Sequence, residues 1–127
     1  MKAREEHVAL FELGCDDLKL VEKNMGDEDI SERLLLFHLQ QAVEKFLKSL
    51  LSQKNVRFQR VHDIERLIEL CEDNEIELPD YVEEFINLTP FAVEFRYGLM
   101  GDETLDVRYY YEKVQDFKEF VGAETLH

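Results

Sequence analysis

The chain has 127 residues, 45% of them hydrophobic and 35% charged, with five Gly and two Pro. That composition excludes a disordered protein and provides for one domain, residues 1–127, with one hydrophobic core. A formal net charge of −14 disfavours DNA, because affinity for a polyanion grows with the phosphates a protein neutralises.

Five helical segments can be placed in chain order by apolar periodicity. The first is predicted over about Ala3 to Met25, with Val8, Phe11, Cys15, Leu18 and Met25 on one face beside Leu10 and Val21. Gly14 lies within that face, where a missing side chain admits a neighbouring helix, and Gly26 ends the segment. The second starts after Ser31, a suitable N-cap, and runs to about Lys54, some 36 Å at 1.5 Å per residue. Leu35, Leu39, Ala42, Val43, Phe46 and Leu50 form its apolar stripe, widened by Leu36, Leu47 and Leu51.

A shorter third helix follows Asp63, with Ile64, Leu67, Ile68 and Cys71 inward and Asp63 as its cap. A fourth opens at Pro79 and carries Val82, Phe85 and Ile86, with Pro90 as its stop. The stretch FAVEFRYGLMGDETLD reads as irregular, broken by Gly98 and Gly101. The last helix is predicted over about Val107 to Val121, with Val107, Tyr110, Tyr111, Val114, Phe117 and Val121 inward. No segment alternates as a strand does, so the fold class is all-α, an up-and-down bundle of about five helices, two of them long.

No apolar run approaches the roughly 18–20 residues that cross a bilayer, and MKAREEHVALFELG lacks the features of a signal peptide. Cys15 and Cys71 are isolated and lie on apolar faces, as reduced core thiols do. The expected setting is the cytoplasm, with no membrane partner, no metal and no cofactor.

Charge is unevenly spread. Residues 1–62 carry eleven acids and ten bases, a net of −1, whereas residues 63–127 carry eighteen acids and five bases, a net of −13. From Lys45 to His62 there are five bases (Lys45, Lys48, Lys54, Arg57, Arg60) and no acid. A solvated face explains such a run as well as a phosphate or partner contact does. On the second helix, His38, Gln41, Lys45 and Lys48 fall at i, i+3, i+7 and i+10, on a line that should point away from the apolar stripe. Two ammonium groups beside a His could hold a phosphate or an acidic partner; a plain solvent-facing stripe is the competing reading. Gln40 falls at the edge of the apolar arc and is expected to hydrogen-bond to another helix.

His62-Asp63 can be fitted to an HD-type metal site with His38 and Asp102 or Asp106, but the dipeptide has low specificity, and a cap at Asp63 explains it with less. Arg96-Tyr97 lies in the irregular segment, either paired with an acid or suited to a phosphate or base. No GxSxG, Walker loop, GxGxxG or HExxH occurs. The adjacent acids Asp16-Asp17 and Glu83-Glu84 diverge by about 100° on a helix and are not carboxylate dyads.

FHLQQAVEKFLKSLL, then VHDIERL, then FAVEFRYG before a closing helix, resemble the HEPN domain (higher eukaryotes and prokaryotes nucleotide-binding) over most of the chain. Gln40 to Lys45 with Lys48, His62-Asp63 and Arg96-Tyr97 carry the resemblance. It implies a helical bundle that commonly dimerises and often accompanies a separately encoded minimal nucleotidyltransferase, in arrangements that include toxin-antitoxin pairs. Many members resemble metal-independent ribonucleases with an Arg followed four to six residues later by His near the start of a late helix. Here no His follows Arg96 before His127. Arg33/His38 and Arg57/His62 have the spacing but lie earlier in the chain, and the first pair would sit about 140° apart around its helix. Without a positioned His, RNA cleavage lacks its usual general acid-base. The expectation is a non-catalytic module that binds a nucleotide or partner through His38, Gln41, Lys45, Lys48, Arg57, Arg60, His62, Arg96 and Tyr97. The rival expectation is a divergent, toxin-like endoribonuclease.

Overall fold

In the computed structural model, which describes residues 5–58, 63–92 and 105–125, helix α2 (Glu32–Gln53) is the axis of the bundle. Twelve of its 22 residues are buried, more than one apolar stripe can supply, so neighbours must surround it. They are α1 (Glu6–Asn24), α3 (Ile64–Asp73), a 3-10 helix (Asp80–Leu88) and α4 (Val107–Thr125). The described residues contain no strand, and the fold is an all-α helical bundle.

The helix starts obey local chemistry. Ser31 Oγ accepts from Arg33 N at 3.1 Å, and Asp63 Oδ1 accepts from Glu65 N at 3.0 Å. Each bond satisfies a donor that has no intrahelical partner. α1 ends at Asn24 with Met25 as its C-cap, and Gly26 then takes φ 87°, a left-handed conformation that favours glycine. α2 and α3 end without a glycine. Asn55 (φ 60°) and Glu75 (φ 61°) take the left-handed position, while Val56 N donates to Leu51 O and Ile76 N to Cys71 O, both at 2.9 Å. These are Schellman closures, which satisfy carbonyls left open at a helix end.

α1 buries Phe11, Gly14, Leu18 and Val21 against α2; each large apolar side chain so buried is worth about 1.5–3 kcal/mol. Gly14 is what brings the two helices close. A Cβ there would lie 2.6 Å from Phe46 Cε1 and 2.8 Å from Phe46 Cδ1. Phe46 is fully buried, with its ring 5.7 Å from that of Phe11 and 6.1 Å from that of Phe117. Phe117 reaches Phe85 at 5.8 Å, joining α4 to the 3-10 helix through one aromatic core. At the far end of α2, Ser49 Oγ donates to His7 O (2.7 Å), Ser52 Oγ to Glu6 Oε1 (2.7 Å) and Gln53 Nε2 to Glu124 O (2.6 Å). The start of α1 and the end of α4 are thereby fastened to the same turn.

Some boundaries differ from those expected. α1 begins at Glu6, not Ala3, and α4 extends past Val121 to Thr125, which is buried. Pro79 caps the fourth segment rather than opening it, and that segment is 3-10 in its bonding. Pro90 does not stop it. α-Helical backbone occupies residues 89–92, with Pro90 at its first turn, where a missing N–H costs nothing. Most of the expected irregular stretch, including Arg96, Tyr97, Gly98 and Gly101, lies outside the described residues.

Candidate functional site

The polar line on α2 is on one edge of that helix, as its spacing requires, but it does not simply face solvent. His38, Gln41, Lys45 and Lys48 are all half-buried. The correction has a physical cause: α1 packs alongside this edge and supplies a carboxylate to it. Asp17 Oδ1 lies 3.0 Å from His38 Nδ1, and Asp17 Oδ2 accepts from Lys45 Nζ at 2.5 Å. A carboxylate only accepts, so the His38 ring must present its N–H at Nδ1. The Asp17 side chain is 13% exposed, so one acid, shielded from water, holds two basic groups seven residues apart. Its neighbour Asp16 is exposed, which shows how far adjacent helix residues diverge.

A second cluster lies on the other flank of the line. The Glu44 carboxylate, 6% exposed, accepts from Lys48 Nζ at 2.8 Å and from Gln40 Nε2 at 2.9 Å. Gln41 Nε2 donates to Gln40 Oε1 at 2.6 Å. These bonds of Gln40 run along α2 itself. Lys48 Nζ also stands 5.7 Å from the centre of the Phe58 ring, a cation–π contact. Glu44 escaped the sequence reading, although Gln40, Glu44 and Lys48 at i, i+4 and i+8 are spaced to bond one another. Asp17 left no comparable signal, since its partners are 21 and 28 residues away.

Beyond α2 the acid-free run becomes exposed: Lys54 and Arg57 both face solvent. Arg60, His62, Arg96 and Tyr97 lie outside the described residues, as does Asp102 of the HD template. The template's two other candidates have different tasks. His38 is held by Asp17, and Asp106 Oδ1 accepts from Tyr109 N at the start of α4. A cleft of about 850 Å³ opens elsewhere, between the α1–α2 turn and the start of α4. Asp27, Glu28, Glu32 and Asp106 outnumber Arg108 in its lining, a poor match for a phosphate.

Neither thiol is bonded. Burial pushes Cys71 up to about 12 and raises Cys15 as well, which keeps both protonated and unreactive. No helix among the described residues is long and apolar enough to cross a membrane.

The sequence profile of the HEPN domain matches residues 9–124, nearly the whole chain. The chain belongs to the HEPN domain family. The match takes in every helix described above, from the body of α1 to the end of α4, together with Arg96-Tyr97 in the stretch between Phe91 and Leu105. No curated protein and no solved structure matches this HEPN domain.

Proposed function

We propose that this protein is a non-catalytic HEPN module that dimerises and works beside a separately encoded minimal nucleotidyltransferase, offering that partner or its nucleotide a basic contact surface. The observation that carries this reading is how the cations of α2 are used. His38 and Lys45 are held by Asp17, and Lys48 by Glu44. The Asp17 pairs join α1 to α2, the Glu44–Lys48 pair lies within α2, and half-buried cations paired in either way have little charge to offer a ligand. The charge available to a phosphate then belongs to the acid-free run past α2, where Lys54 and Arg57 are exposed and Arg60 follows in sequence. His38, Gln41, Lys45 and Lys48 thus hold up the surface, and Arg57 and its neighbours make the contact. The non-catalytic part of the reading draws on the sequence: no His stands four to six residues after Arg96.

The test is a calorimetric titration with ATP and other nucleotides, first of the protein alone and then of the protein with a candidate nucleotidyltransferase. Binding that Arg57→Glu weakens and Lys45→Met largely spares supports this assignment. No binding in either setting removes the nucleotide from the proposal. Capture of the nucleotidyltransferase without any nucleotide dependence leaves a purely structural partner.

A further inference from the structure

The acid-free run has a counterpart. Between Arg66 and Arg96 the sequence holds nine acids and no Lys, Arg or His. Most of α3 and the whole 3-10 helix lie in that stretch, and a groove of about 300 Å³ opens between them. Much of its lining is apolar. Ile68 and Val82 are 4% and 1% exposed, and Leu78 and Pro79 are half-buried. Glu72, Asp80 and Glu83 complete it, all three exposed.

Helix geometry brings the carboxylates here. Ile68 and Glu72 are four residues apart and so share a face of α3. In a 3-10 helix the side chains at i and i+3 eclipse, which sets Asp80 and Glu83 in one row. Glu69 on α3 is paired with Arg66, but none of the three groove carboxylates has an ion pair or hydrogen bond among the described residues. Other clefts contain a cation. Arg108 lines the one of about 850 Å³, and Lys54 lines one beside the end of α4. This groove has none.

That chemistry selects the occupant. Nucleic acid, an anionic membrane and a second copy offering the same stretch would each bring more negative charge. Among the described residues no three acidic, His or Cys side chains are placed to hold a metal ion, so the carboxylates suit separate cations rather than one. The volume is at the small end of the roughly 300–1,000 Å³ usual for ligand pockets, and fits an inserted side chain better than a whole ligand. We propose that this groove docks a basic segment of a partner protein. An aliphatic side chain of that segment sits on Ile68, Leu78 and Val82, and its Lys or Arg residues lie against Glu72, Asp80 and Glu83. The apolar seat removes hydrocarbon from water, and the carboxylates steer the encounter and reject acidic partners. This surface is separate from Lys54 and Arg57 of the proposed function and opposite in charge.

The probe is a synthetic amphipathic peptide with arginines flanking a leucine, followed by calorimetry and by the methyl NMR signals of the protein. The peptide should bind and move the signals of Ile68, Leu78 and Val82. Binding should weaken by about tenfold or more when serine replaces the leucine, and likewise when the protein carries Glu72→Lys/Glu83→Lys. Glu112→Lys/Glu119→Lys makes the same change of charge at exposed positions of α4, and should leave the affinity within about twofold. Absence of binding, or binding that leaves those methyl signals in place, overturns the proposal. Equal binding by the serine peptide or by spermine also overturns it, since the surface would then attract any cation. A loss as large in the α4 variant as in the groove variant has the same meaning. If Glu72→Lys/Glu83→Lys unfolds, the methyl signals and the serine peptide decide on wild type.

Discussion

Asp17 of α1 and Lys45 of α2 meet at 2.5 Å, 28 residues apart in sequence, with His38 on the other carboxylate oxygen at 3.0 Å. Asp17 is 13% exposed and Lys45 28%, so the pair is neither a surface ion pair of negligible worth nor a fully desolvated one. Removing the acid leaves two basic groups facing each other in a half-buried seam. Asp17→Ala should cost about 1–2 kcal/mol, between the surface and buried limits for broken pairs. Urea denaturation measures it. In the Asp17→Ala/Lys45→Met double variant part of the loss should return, because no cation is then stranded at position 45. Losses that simply add would mean the two groups do not interact.

Gly14 and Phe46 set the separation of the two long helices. Alanine normally favours a helix over glycine by about 1 kcal/mol. Here its methyl would have to displace a ring that is fully buried between Phe11 and Phe117. Gly14→Ala should therefore lower stability by about 1–3 kcal/mol, the usual cost of overpacking. Adding Phe46→Leu should make the second substitution less damaging than it is in wild type. Thermal unfolding of the four proteins checks the sign.

Glu75 occupies a left-handed position, φ 61°, that glycine would fill without steric cost. Glu75→Gly should raise stability by about 0.5–1 kcal/mol, whereas Ser31→Ala and Asp63→Ala should each lower it by about 1 kcal/mol through loss of a cap. Denaturant midpoints at constant m-value separate these outcomes.

Alkaline pH should destabilise the fold. Burial holds the Cys71 thiol at about 12, against an ordinary value of 9.0, and raises Tyr81 and Tyr111 from 10.0. Between pH 9 and 12 an unfolded chain gives up the Cys71 proton and the folded chain keeps it. The unfolded state then binds fewer protons, so stability falls as pH rises through that window, on the order of 1 kcal/mol per pH unit at most for this group. Cys71→Ala should flatten the decline in urea titrations at pH 8, 9 and 10.

Much of the fold was legible because helix spacing and caps are local. Ser31 and Asp63 cap as their types suggest, and the apolar faces of α2, α3 and α4 are the buried ones. Gly14 was readable as a point of close approach, though not as a seat for Phe46. The helix ends at Asn55 and Glu75 were not legible, since neither is the glycine that usually marks a left-handed close. Pro90 misled because the same ring that stops a helix also suits its first turn. At the candidate site, the common line of His38, Gln41, Lys45 and Lys48 was legible from its spacing, though it was expected to point away from the apolar stripe. Its half-burial was not, because Asp17 reaches it only through the packing of α1, and sequence periodicity says nothing about which neighbour arrives. The family was legible from the order of its landmarks: QQAVEK, HD and RY.

Whether this HEPN domain cuts RNA tests the account most directly. Purified wild-type protein, His62→Ala and Arg96→Ala are incubated without metal with single-stranded and structured RNA, and the products are resolved by length. The account predicts no cleavage above the buffer control for any of the three. Cleavage by wild type that Arg96→Ala abolishes would contradict it and establish a ribonuclease that works without the usual following His.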